Sequence, residues 1–383
     1  MSTSPSAMPA SGPELRSVAV IIGGGPAGLM AAEALAQAGV AVHLFDAMPS
    51  VGRKFLLAGK GGLNLTHSEP MPGFAARYGA PAGVVADWLQ GFGPDDLRQW
   101  ARGLGVETYV GSSGRVFPLD RKAAPLLRGW VRRLKDQGVR FHVQHRWLGW
   151  DADGALRFDT PTGEQRLQAQ ACVLGLGGGS WPQLGSDGAW VPVLEAHGID
   201  VATLQPANCG FDIGWSEHFA TRQAGAPIKP VVAHWRDADG IEHSLQGECV
   251  ATATGIEGSL VYALSATLRE AIHREGSTVL WLDLVPGREL ERLQRELGRP
   301  RGGRSLSEHL RRQAGIDGVK AALLREILDA TALADMDQVA ATLKRLSLRL
   351  LRARPLAEAI SSAGGVRLEA LDSGLMASAA PGV

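Results

Sequence analysis

Residues 18–46 run Val18-Ala-Val-Ile-Ile-Gly-Gly-Gly-Pro-Ala-Gly28 and on through Val40-Ala-Val-His-Leu-Phe-Asp46. A β-branched apolar run ends in Gly23-x-Gly25-x-x-Gly28. A helix-compatible stretch follows, Leu29 to Ala38, and Gly39 breaks it. A second apolar run then closes on an acid. Strand, glycine turn, helix, strand and carboxylate in this order form the layout of a dinucleotide-binding βαβ unit. Gly23 permits the tight turn. Gly25 has no Cβ, so the backbone can approach a pyrophosphate. Gly28 lets the helix pack against the sheet. Pro26 suits a first helical turn, where its missing N–H is not needed. By placement, Gly23, Gly25, Pro26, Ala27 and Gly28 hold the pyrophosphate, facing it with the free N–H groups and dipole of a helix start. Asp46 is placed to bond a ribose hydroxyl, which favours FAD or NAD over a 2′-phosphorylated cofactor. A glycine turn in an unrelated α/β protein would leave Asp46 and the spacing unexplained.

The chain has 383 residues, 45% hydrophobic and 20% charged, which suits a globular protein of two or three domains. Its formal net charge is zero. The balance therefore gives no sign of a nucleic-acid or anionic-membrane partner, and a small-molecule substrate is expected. Cys172, Cys209 and Cys249 stand far apart without a C-x-x-C. They form neither a disulfide framework nor a zinc site, and no metal is expected. They suit a reducing cytoplasm. Cys172 reads as a small core residue. Residues 1–17, rich in Ser, Pro and Ala, read as a disordered tail. The apolar stretch behind them is broken by three glycines and Pro26 and carries Glu33, so it is not a membrane span.

Residues 82–104 hold helical patterns, with Gly93-Pro94-Asp95-Asp96 as a start signal. Asp120 to Gln137 reads as another helix. Arg140–His145, Ala155–Asp159 and Gln165–Ala169 alternate between turn residues and read as a β-meander. Ala171–Leu174 is a buried strand ending in glycines. These features give an α/β fold class. A Rossmann-type FAD-binding domain takes residues 18–198 and 355–383. It is interrupted by a β-barrel-like or sandwich-like insert of short strands, 199–285, and a strongly helical subdomain, 286–354. In the last block Arg311 and Arg312, with Arg345, Arg349 and Arg352, make either a basic face or an ordinary solvated helix face.

Gly52-Arg-Lys-Phe through Asn64-Leu-Thr66 follows the strand that carries Asp46, so it runs along the ligand from the ribose outward. Arg53, Lys54, Lys60 and Asn64 would lie toward an isoalloxazine. A cation such as Lys60 near its N1 would raise the flavin potential. Leu176-Gly-Gly-Gly-Ser through Ser186 fits a point where strand ends meet a ligand crevice. Ser180 and Ser186 can reach a cofactor or substrate, but neither has a His/Asp partnership for nucleophilic catalysis. No catalytic side chain is assigned.

These motifs, with Gly114-Arg-Val-Phe-Pro118, Thr254-Gly-Ile-Glu-Gly258 and Ala363-Gly-Gly-Val366, occur in this order in the BaiN/YhiN-like flavoproteins, which the chain resembles from Ser17 onward. The resemblance implies an FAD-dependent oxidoreductase with a β-barrel insert and an all-α subdomain. It also implies that the backbone near Trp147 meets the adenine, and that Gly177, Gly178, Gly364 and Gly365 border the flavin. Relatives are described as enone reductases or amine oxidases. NAD(P)H is a candidate electron donor. Many relatives carry Gly-Arg-Cys-Asn where this chain has Gly61-Gly62-Leu63-Asn64, so no thiol is expected by the flavin. The family normally continues past Pro-Gly-Val, so a chain ending at Val383 is expected to hold FAD weakly. The alternatives are an NAD-dependent dehydrogenase and a non-catalytic nucleotide-binding module.

Overall fold

A computed structural model describes residues 19–58 and 61–383. The expected tail, 1–17, and Lys60 lie outside the described residues. The chain forms two compact units. One comprises residues up to Gly178 together with Pro182–Ala202 and Gly365–Val383. The other comprises Gly179–Trp181 and Thr203–Gly364.

The first unit is built on a four-stranded parallel sheet, in the order Ala171–Leu174, Ala19–Ile22, Val42–Asp46, Arg140–Val143. The glycine-turn helix, Pro26–Gln37, connects the second and third of these. Helix Ala123–Asp136 leads into the fourth. All of Ala19–Ile22 is buried, as expected for a parallel strand covered on both faces. Ile21 points into a core with Leu29, Leu44, Trp130 and Leu134. Val20 and Ile22 point the other way, against Phe45, Trp147, Phe158 and Leu194.

The meander on that second face consists of Arg146–Trp150, Leu156–Thr160 and Gly163–Leu167. Arg140–His145 is not part of it, which corrects the sequence reading. Residues 140–143 pair in parallel with the Asp46 strand because a crossover helix precedes them, and local alternation carries no information about that pairing. Residues 61–122 add a small antiparallel sheet and the helices Met71–Ala76, Ala82–Gly91 and Pro94–Gly103.

Glu33 is buried at the centre of the helical face. Its Oε2 accepts the indole N–H of Trp130 at 2.7 Å and of Trp100 at 3.0 Å, and its Oε1 accepts Arg133 at 2.7 Å. Removing the carboxylate strands both indole donors, at about 2 kcal/mol. Glu33→Ala is therefore expected to lower the melting temperature by about 4–8 °C. Glu33→Gln, which keeps an acceptor, should lose less. An unchanged Glu33→Ala melt would contradict the role assigned to this hub.

In the second unit, a seven-stranded sheet and five helices between Leu290 and Lys344 share one hydrophobic core, running from Cys209 to Ala359. Strands Leu346–Leu350 and Arg352–Ala353 belong to the same sheet as the strands from 211–283. The five arginines weighed as a basic face or a solvated helix face do not share a helix. Arg311 and Arg312 pair with Glu308, Arg345 with Glu242 and Arg352 with Asp212, while Arg349 lies on a strand. Among the described residues, no helix is long and apolar enough to cross a membrane.

Candidate functional site

At the C-terminal ends of the parallel strands lies a cleft of about 150 Å³. It is walled by the Gly23–Pro26 turn, Asp46, Arg53 and Lys54, and by two returning segments, Gly175–Gly178 and Leu184–Ser186. The glycines of the turn are not equivalent. Gly23 has φ +105°, and a Cβ there would lie 2.2 Å from the Gly175 carbonyl oxygen. A Cβ on Gly28 would lie 1.9 Å from the Gly23 oxygen. These two glycines close the turn on itself and on the end of the Ala171–Leu174 strand. Around Gly25, by contrast, a Cβ would meet nothing within 4 Å. Its φ of −80° is open to any residue. The fold therefore does not need glycine at position 25, and open space lies beside it. Gly25 is also the helix N-cap and offers no side-chain acceptor. The N–H groups of the first turn are thus left for a ligand.

Asp46 ends its strand half-buried. Oδ2 accepts the Gly24 N–H and Oδ1 the Met48 N–H, each at 2.7 Å. Burial pushes its carboxyl above the ordinary range, against the pull of those two N–H groups and of Arg53. Each oxygen keeps a lone pair for a ribose hydroxyl. Arg53 starts the helix Arg53–Ala58. Its Nε is buried with no partner, as is the Oγ of Ser186 on the facing wall. Buried donors without partners are rare in finished structures. Here both belong to residues lining the same cleft. Burial lowers the pKa of Lys54.

The cleft thus brings together Gly23, Gly25, Pro26, Asp46, Arg53, Lys54, Gly177 and Gly178. Gly28 packs behind the turn. Ala27 and Gly365 line a neighbouring apolar cleft of about 670 Å³ that shares Gly175–Gly177 with the first. Asn64 is exposed and lines neither cleft. The Trp147 ring sits in the core with Leu156 and Phe158, its N–H unpartnered. Gly364 belongs to the second unit, at φ +86°. Met48 and Gly185 were not singled out in the sequence. They meet because a Cβ on Gly185 would come 2.7 Å from Met48 Cγ, a long-range contact with no local signal. The buried Cys172 thiol is pushed up to about 12 by burial. It lines the apolar cleft and is unreactive there at neutral pH. No group of three or more His, Cys, Asp or Glu among the described residues has metal-binding geometry.

Fold and cleft define a dinucleotide-binding Rossmann protein. The family model described as the HI0933-like protein Rossmann domain matches residues 17–383, and the chain belongs to this family of FAD-dependent flavoproteins. Two curated relatives are both named ribosomal RNA dihydrouridine synthase. The one from Haemophilus influenzae is 23% identical over 275 residues, covering 71% of this chain and 65% of that protein. The one from Escherichia coli strain K12 is 26% identical over 183 residues, covering 48% of this chain and 45% of that protein. The chain therefore spans less than two thirds of either relative's length. Among solved structures, it is similar to a 3-ketosteroid-Δ4-(5α)-dehydrogenase from Rhodococcus jostii RHA1. That match has a TM-score of 0.43 at 15% identity and covers 91% of this chain and 84% of that one. A flavocytochrome c3 fumarate reductase matches with a TM-score of 0.37 at 16% identity, over 55% of this chain and 46% of its own.

Proposed function

We propose that this chain is an FAD-binding reductase acting on a uridine in ribosomal RNA. The observation that carries the FAD half is the cleft. Gly25, with free space for a side chain, opens onto it, and Arg53 Nε and Ser186 Oγ lie buried in its walls without partners. The names of the two curated relatives support the RNA half. Chemistry connects the two. The C5–C6 double bond of uracil is conjugated to a carbonyl, and adding one hydride and one proton across it gives dihydrouridine. When bound, FAD supplies the hydride, and NAD(P)H is the proposed source of the electrons.

In this reading, the first-turn N–H groups after Gly25 hold the pyrophosphate and Asp46 holds the ribose. Arg53 donates to a phosphate oxygen, and Ser186 bonds the cofactor from the facing wall. Lys54 places positive charge along the ligand, and Gly177 and Gly178 allow its close approach. A cytoplasmic setting belongs to the same reading, supported by three separate, buried, unpaired thiols.

The test is to incubate FAD-loaded protein and NADPH with unmodified ribosomal RNA and to measure nucleoside masses. A gain of two hydrogens on uridine is expected. Flavin that reduces and reoxidises on a small enone while RNA stays unmodified would refute the RNA half. A nicotinamide effect with no flavin bands would indicate a dehydrogenase. No redox cycling at all would leave a binding module.

Asp46→Ala is expected to weaken FAD binding about tenfold to a hundredfold, since bonds to a charged acceptor contribute about 1.5–3 kcal/mol. Titrating apoprotein with FAD checks this. Unchanged affinity would remove Asp46 from the site.

A further inference from the structure

The zero net charge of the chain averages over an uneven distribution. Residues 288–312 contain eight arginines and four glutamates, a local excess of 8 − 4 = 4 positive charges. Two of those glutamates are used within the segment. Glu296 pairs with Arg288 and Arg292, and Glu308 with Arg311 and Arg312. The other four arginines, Arg295, Arg299, Arg301 and Arg304, are exposed, and none makes an ion pair with a carboxylate among the described residues; Arg299 and Arg304 act on Glu296 and Glu308 only through space. Arg299 reaches only the Gln313 amide oxygen, at 3.3 Å.

Three of these four stand in one turn, Arg299-Pro-Arg-Gly-Gly-Arg304. From 297 to 307 the sequence contains no acid over eleven residues. The turn is tied at both ends. Helix Leu290–Leu297 closes at Gly298, and Ser305 caps helix Leu306–Ala314 by accepting the Glu308 N–H at 3.2 Å. Between them Gly302 takes φ +59°, and the Arg304 N–H bonds back to the Arg301 carbonyl at 3.4 Å. Three arginines are therefore concentrated in one six-residue turn at a helix–helix corner, where their like charges disfavour one another.

That arrangement favours a polyanion. A guanidinium fork matches two phosphate oxygens at once. Several phosphates spaced along a strand relieve the mutual repulsion and release counterions. Gly302 and Gly303, with open space where a Cβ would be, let a backbone approach. Apart from Pro300, the turn exposes no apolar side chain, so it lacks the apolar face with which a surface helix enters a membrane.

We propose that the turn Gly298–Ser305 is an RNA-backbone contact of this chain, with Arg299, Arg301 and Arg304 each on a phosphate. This rests on the reading of the substrate as ribosomal RNA. It adds the place where the RNA is held and the chemistry that holds it.

The experiment uses the full chain and a fluorescein-labelled ribosomal RNA stem-loop, with binding followed by anisotropy across a KCl series. The combined variant Arg299→Ala, Arg301→Ala, Arg304→Ala is expected to bind at least tenfold more weakly at low salt. Its slope of log affinity against log salt should be shallower by about 2–3, since each phosphate contact contributes about 0.7–0.9. The pair Arg311→Ala, Arg312→Ala, whose guanidinium groups both engage Glu308, should change affinity less than the triple variant does. Melting temperature and FAD content should match the parent in both variants. If the parent binds RNA and the triple variant binds equally well with the same salt slope, the turn is not the contact, and the RNA reading stands. If the parent does not bind RNA, the RNA reading falls and takes this assignment with it. Binding to phosphatidylserine vesicles through this turn, with RNA affinity unaffected, would overturn the assignment as well.

Discussion

Gly25→Ser is expected to bind FAD about tenfold to a hundredfold more weakly while melting within about 2 °C of the parent chain. The two halves of that result have separate physical causes. Position 25 has ordinary backbone angles, and a Cβ there meets no atom within 4 Å, so a serine enters without strain. It is also the N-cap of helix Pro26–Gln37, a place where serine is at least as good as glycine. Stability should hold or rise slightly. The hydroxymethyl group occupies the space that the pyrophosphate is proposed to use, and its oxygen competes for the first-turn N–H groups. A loss of about 1.4–2.8 kcal/mol corresponds to the stated range. FAD titration and a thermal melt on the same sample check both halves. A melt that drops sharply would show that glycine serves the fold at this position. Unchanged FAD affinity would show that the ligand does not pass there.

Gly28→Ala should give the opposite pattern. The new methyl would sit 1.9 Å from the Gly23 carbonyl oxygen. That oxygen is backbone, fixed in a turn that Gly23 holds at φ +105° and that Gly175 backs closely. No flexible side chain can yield, so the helix must move off the strand end. Overpacking in a tight core costs about 1–3 kcal/mol and sometimes more. With only backbone to displace, a loss of about 3 kcal/mol or above is expected, near 10 °C in melting temperature. FAD affinity is expected to fall with it, because the turn proposed to bind the cofactor is displaced. A Gly28→Ala protein that melts like the parent would mean the turn is wider than described.

These paired outcomes follow from a segment whose meaning was largely local. The glycine spacing, Pro26 and the acid at Asp46 encode a turn, a helix start and a strand end within 29 residues, from 18 to 46. Such features can be read from the chain itself because φ, Cβ and N–H constraints act over a few residues. The far wall of the cleft could be read only in part. Gly177, Gly178 and Ser186 are recognisable as a glycine-rich strand exit. The approach of Gly185 to Met48 joins residues 137 apart, and no local pattern marks it. Arg140–Val143 shows the same limit in the fold. An alternating strand looks alike whether its neighbour is a meander or a parallel sheet, and the crossover helix decides.

Net charge is a coarse guide for a different reason. A sum of zero is compatible with a four-charge local excess, and a nucleic acid meets the local field within roughly a Debye length of the surface. Glu33 was informative as a charge that breaks an apolar run. Its burial under two indoles and an arginine depended on helices that lie 67 to 100 residues away. Asn64 sits in a segment read from the sequence as running along a ligand, yet its side chain faces solvent.

The most direct test of the central claim, that this cleft holds FAD, is a titration of the apoprotein with FAD followed by flavin fluorescence, run beside Gly25→Ser. Saturable binding of one FAD per chain, weakened at least tenfold in Gly25→Ser at an unchanged melting temperature, is the predicted result. No saturable FAD binding by the parent, or equal binding by the variant, would contradict it.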